Sequence, residues 1–158
     1  MQKNPEGFSL IELLIVVAII LVIAAIAIPN LLRSRIAANQ ASAVGSLRVI
    51  NTAEVSYAST FNLGYSPDLA SLGPPSSGNP TTSAAGLIDS VLASGAKSGY
   101  QFVYSATSVN GICSAYQITA SPLTPGSTGQ TYYFTDHSGI IRQNATGTAS
   151  SSDSPLAG

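Results

Sequence analysis

The chain predicts an α+β protein: one long N-terminal helix, half membrane-spanning and half amphipathic, packed on a small antiparallel β-sheet. Three observations predict it. From Phe8 to Ile28 the residues are nearly all aliphatic, interrupted by Ser9 and Glu12. From Pro29 to Phe61 the apolar residues recur at helical spacing. From Tyr100 onward the period falls to two, in short runs rich in Tyr, Phe, Val and Ile between turn residues.

Taken as a helix, Phe8–Ile28 is roughly 32 Å long, about the thickness of a bilayer core. Lipid offers no partners to backbone N–H and C=O groups, so a lone spanning segment must satisfy them internally, as a helix. Glu12 is the residue that does not belong. A carboxylate costs about 2.5–3.5 kcal/mol near the centre of such a helix and less near its end. The bland reading is a side chain lying at the headgroups; the sharper one is a carboxylate with a partner.

The residues before the apolar run decide between them. Met1–Gly7 is a short polar leader that stops at a glycine directly before Phe8. The string Gly7-Phe8-Ser9-Leu10-Ile11-Glu12 resembles the processing site of type IV prepilins and of the related pseudopilins of type II secretion. The resemblance implies a lollipop-like pilin fold, cleavage after Gly7 by a membrane-embedded prepilin peptidase, and methylation of the new amine on Phe8. Glu12 matches the family glutamate that serves subunit assembly, and Pro29-Asn30 matches the proline at the helix break. Glu6 departs from the basic residue often found before the glycine. The likeness covers Met1 to about Phe61 closely and the remainder in outline. It also implies partners: copies of this chain in a helical filament, an inner-membrane platform protein, and cytoplasmic assembly ATPases.

A physical role for Glu12 stands beside the resemblance. After cleavage the chain begins with a charged amine on Phe8, four residues from Glu12, and packed subunits can pair the amine of one with Glu12 of the next. At about 4 Å and an effective dielectric near 20 that attraction is about 4 kcal/mol, comparable with the insertion cost. Leu, Ile and Val already match lipid, so their burial alone does not drive association. The charge count does not fix orientation, because Lys3 lies before the span and Arg33, Arg35 and Arg48 lie after it. The resemblance places the leader in the cytoplasm and the rest outside. An ordinary secretory signal fits less well: Ala25-Ile26-Ala27 offers a cleavage-like triplet, but the apolar run exceeds the usual h-region of about 7–15 residues.

The expected organisation is a cleaved leader (1–7), a hydrophobic transmembrane and assembly helix (8–28), and its amphipathic continuation (29–61). A loop with a short helix (62–99), an antiparallel sheet (100–143) and a flexible Ser/Thr-rich tail (144–158) follow. Pro29 is expected to kink or loosen the turn before it. On the continuation, Val44, Leu47, Ile50, Val55, Tyr57, Ala58 and Phe61 form an apolar arc, with Ser42, Gly45, Ser46, Thr52, Ala53, Ser56 and Thr60 mostly opposite. Asn51 and Glu54 fall within that arc, and a buried carboxylate needs hydrogen bonds or a cation. Arg142 is the candidate cation. The short helix is expected over about Ala84–Ala93. Strands are expected at Tyr100–Ser105, Ala115–Ala120, Thr131–Thr135 and Gly139–Gln143, with turns at Asn110-Gly111 and Asp136–Gly139.

Composition bounds the function. Only 8% of the residues are charged and the net charge is −1, so no basic stripe supports nucleic-acid binding. Cys113 is the single cysteine, which excludes an internal disulfide; it reads as a small residue at a strand edge, with an intermolecular bridge as the alternative. His137 is the single histidine, and Asp136-His137-Ser138, consecutive in one turn, cannot adopt nucleophile–base–orienter geometry. Asp68 and Asp89 lie too far apart for one metal loop, so neither metal nor cofactor is expected. Asn144-Ala145-Thr146 fits a glycosylation sequon. The sequence therefore reads as a structural, non-enzymatic pilus subunit, held in lipid before assembly. The alternatives are a pseudopilin of a periplasmic pseudopilus and a monomeric single-pass anchored binding protein.

Overall fold

The computed structural model describes residues 8–156 and shows the α+β arrangement. The described residues divide into two compact units, one up to Arg35 and one from Ile36 onward. Helix α1, Leu10–Phe61, contributes to both. Its end is encoded locally: Asn62 has φ +54° and its N–H reaches the Ala58 carbonyl at 3.1 Å, a left-handed cap that asparagine tolerates.

In the second unit the sheet is a five-stranded antiparallel meander in the order β1 to β5. The strands are β1 Ala96–Lys97, β2 Tyr100–Val109, β3 Ile112–Pro122, β4 Tyr132–Asp136 and β5 Arg142–Asn144. Asn110 (φ +53°) and Gly111 (φ +82°) make the expected tight turn between β2 and β3. Ser98 (φ +50°) and Gly99 (φ +75°) make a second turn of the same kind, which adds the unexpected strand β1. At the last turn the Asp136 carboxylate accepts from the Ser138 N–H, and the Gly139 N–H reaches the Asp136 carbonyl.

The pairing of β2 with β3 slips by one residue between Thr107 and Ser108. Side chains alternate across a strand, so a slip exchanges the two faces. That is how Cys113 and Tyr116, an odd and an even position of one strand, are both buried. Cys113 lies inside β3, its Sγ 3.2 Å from the Ser108 hydroxyl.

The helix stripe facing the sheet is Ala43, Ser46, Leu47, Ile50, Ala53, Glu54 and Tyr57. It joins Tyr100, Phe102, Tyr116, Ile118, Ala120 and Tyr133 in one core. The expected arc was too wide. Val55 is exposed, because at about 100° per residue it lies about 140° round the helix from Ile50. Ala53 and Ser46, expected on the far side, are buried and let the helix approach closely. Leu47, fully buried, is expected to cost about 2–5 kcal/mol on replacement by alanine, read as a lowered denaturant midpoint.

Two expectations are corrected here. The helix expected over Ala84–Ala93 shrinks to α2, Ser90–Ala93, with Asp89 capping the Leu92 N–H at 2.9 Å. Ala85 and Leu87 instead donate to Ser71 and Leu72, both in the 3₁₀ turn Ala70–Leu72, and Gly86 sits at φ +68°. Those bonds keep the segment out of helical geometry until Asp89. The tail, expected to lie outside the core, returns along β5 as far as Leu156. The Gln143 N–H reaches Ser154, the Leu156 N–H reaches Ile141, and Ala149 is buried. Asp153 organises the return by accepting from the Ser150 N–H, the Ser150 hydroxyl and the Asn144 amide. The sequon asparagine is thus engaged in the turn through both ends of its amide, its oxygen accepting from the Thr146 N–H.

Candidate functional site

The first unit is a helix with almost nothing over it. Phe8 and every Leu, Ile and Val from Leu10 to Leu32 are exposed; Leu10 is 81% exposed and Ile26 65%. No charged residue stands between Glu12 and Arg33. A surface so apolar and so uncovered has a solvent or partner of matching character, either lipid or other apolar helices. Among the described residues α1 is the one helix long and apolar enough to cross a membrane.

Phe8 and Ser9 precede the helix, and the Ser9 carbonyl accepts from the Leu13 N–H at 3.2 Å. Glu12 therefore falls in the first turn of α1, exposed, where unpaired backbone N–H groups and the helix dipole favour a negative charge. Gly7 and the rest of the leader lie outside the described residues. Pro29 does not end the helix: helical backbone runs unbroken on both sides of it. Its nitrogen has no proton to donate, so the Ala25 carbonyl lacks the usual helical partner.

The second unit holds the other expected site. Glu54 is completely buried, and Arg142 is not its partner. Arg142 donates to the Asp153 carbonyl at 2.9 Å, drawn there by the returning tail. Glu54 instead accepts from Ser66, through the backbone N–H at 2.8 Å and the hydroxyl at 2.6 Å. The Tyr104 hydroxyl closes the cluster, 3.1 Å from the Ser66 hydroxyl and donating to the Ser66 carbonyl at 2.9 Å. Burial pushes the Glu54 carboxyl up, against the opposing pull of its Ser66 hydrogen bonds. Burial likewise raises Tyr104 and Tyr116. Beside it, Asn51 donates to the Thr135 hydroxyl at 2.9 Å and accepts from the Tyr116 hydroxyl at 3.0 Å. Sequence reasoning flagged Asn51 and Glu54 but missed Ser66, Tyr104 and Tyr116. The readable signal was the inward parity of the two tyrosines on their strands.

Known proteins match the N-terminal part of the chain. The family model described as the prokaryotic N-terminal methylation motif matches residues 2–28. The matched segment is similar to parts of two type IV pilins. Over 38 residues the chain is 60% identical to the type IV wide pilus major component PilA4 of Thermus thermophilus, covering 24% of this chain and 29% of that protein. Over 56 residues it is 49% identical to the type IV major pilin protein PilA of Myxococcus xanthus, covering 34% of this chain and 26% of that protein. The aligned stretch thus spans less than a third of the length of either relative. No solved structure matches the chain.

Proposed function

We propose that the chain is a structural subunit of a type IV pilus. It is made with its leader, cut after Gly7 by a prepilin peptidase and methylated on Phe8. The exposed helix then holds it in the inner membrane until it joins copies of itself in a surface filament. The observation that carries this reading is the uncovered apolar helix with its single acid at Glu12, lying inside the matched methylation motif. An apolar helix leaving lipid needs other apolar helices, so a bundle of them is the physical outcome of extraction. Extraction against the membrane's preference needs work, which the proposed platform protein and ATPases supply.

Shearing the cells and weighing the recovered protein tests it. The expected result is this chain in surface filaments, with an intact mass that starts at Phe8 plus one methyl group. A mass starting at Met1, in a protein that stays solitary on extraction, supports the anchored monomer instead. A processed chain absent from the sheared fraction and held in the periplasm supports the pseudopilus.

A further inference from the structure

We infer that Glu54 is carried as a neutral carboxylic acid at neutral pH, and that its proton is the latch joining α1 to the loop that follows it. Complete burial without a cation is the first ground. The titratable groups around it are Tyr57 on its own helix, Asp68 in the loop, Tyr104 on β2, and Cys113 and Tyr116 on β3. All are neutral or acidic. The ion pair formed among the described residues, Lys97 with Asp89, lies elsewhere. A carboxylate so placed has lost its water and gained no positive charge in exchange.

Counting protons is the second ground. The Ser66 hydroxyl has one proton and three neighbours within reach: Glu54 Oε1, the Asp68 carbonyl at 3.0 Å and the Tyr104 hydroxyl. The Tyr104 proton is already committed to the Ser66 carbonyl. If Glu54 is ionised, Ser66 serves either the carboxylate or Asp68, not both. If Oε1 carries a proton it donates to Ser66 Oγ, Ser66 donates onward to Asp68, and Oε2 keeps the Ser66 N–H. Two of the three contacts of the Ser66 hydroxyl then have a hydrogen, against one when Glu54 is ionised. The protonated acid completes a chain running from α1 through Ser66 to the start of the 3₁₀ turn, where Asp68 in turn receives the Ser71 N–H.

The sign of the pH dependence follows. Glu54 binds its proton more tightly folded than unfolded, so between the ordinary value of 4.5 and its raised value the folded state holds the extra proton. Stability therefore falls as pH rises through that window and is unaffected below it. The test uses the full chain in detergent with glutamate-selective ¹³C labelling, so that Glu6, Glu12 and Glu54 alone report. The expected result is one carboxyl resonance in the protonated position at neutral pH, absent from Glu54→Gln. Glu54→Gln, whose amide reproduces the neutral acid, is expected to unfold at or above the wild-type denaturant midpoint at pH 7 and to lose the pH slope. Glu54→Ala is expected to unfold well below it. A Glu54 resonance in the ionised position at neutral pH overturns the inference, as does a Glu54→Gln midpoint as low as that of Glu54→Ala.

Discussion

Glu12→Ala is expected to yield a chain that inserts and is processed but does not assemble, so that the sheared surface fraction from cells carrying only this copy holds no filament. Two effects act on the Glu12 carboxylate, and their sizes decide which matters. The free N–H groups of the first turn of α1 stabilise a negative charge there by about 0.3–1 kcal/mol. That term is present in the lone subunit and in the filament alike, so it cannot drive docking. The proposed pairing with the amine of a neighbouring Phe8, at about 4 Å and an effective dielectric near 20, would be worth about 4 kcal/mol and would exist only once subunits meet. Losing it weakens each docking step roughly a thousandfold. The rest of the surface cannot compensate, because Leu13 to Leu32 gain little by exchanging lipid for one another. Glu12→Gln separates charge from hydrogen bonding: it is expected to fail almost as fully as alanine, while Glu12→Asp retains partial assembly. Filaments of normal number and length from Glu12→Ala cells would remove the docking role and leave Glu12 as a tolerated acid near the headgroups.

The features that were legible in the sequence are those fixed by composition or by one local rule. An unbroken aliphatic run has one possible form in lipid, and Asn110-Gly111 has one preferred turn, so both were readable from the residues alone. The end of α1 at Phe61 was readable because the texture changes at Asn62. What could not be read depends on contacts distant in sequence. Glu54 announced itself as an acid on an apolar arc, yet its partner Ser66 is one hydroxyl among many in a Ser-rich loop. Arg142 was the wrong candidate because charge complementarity ignores the tail, where Asp153 gathers Ser150 and Asn144 and offers Arg142 a carbonyl. In a run of serines and threonines Asp153 was the one strong acceptor, and local hydrogen bonding to its neighbours was the signal available. Helix α2 was overestimated because Leu87 and Ile88 fit a helical period, whereas their N–H groups are taken by Leu72. The burial of Cys113 depends on a one-residue slip that no spacing in the sequence reveals.

Gly64→Ala is expected to be the most damaging of the single-methyl additions to the loop after α1, lowering stability by about 2–5 kcal/mol. Two costs combine. Gly64 sits at φ +75°, a left-handed conformation costing a residue with a Cβ about 1–2 kcal/mol. A Cβ there would also overlap the Cys113 carbonyl oxygen and stand 3.0 Å from Ile112 Cγ2. Backbone in a sheet yields little, and overpacking of this kind typically costs about 1–3 kcal/mol. Relief by moving the loop is expensive in turn, because Tyr65 donates to that same Cys113 carbonyl at 2.9 Å and Ser66, next along, donates to Glu54. The loop is fastened to β3 and to α1 by consecutive residues, so a shift at Gly64 propagates directly to the buried acid. Gly78→Ala provides the control, with φ +82° and open space around the added carbon, and should cost only the conformational term. The check is the difference in denaturant midpoint between the two variants, together with faster amide exchange at Tyr65 and Ser66 in Gly64→Ala. Equal midpoints would mean that the loop moves freely off β3, and that the close approach of Gly64 to Cys113 does not hold it there.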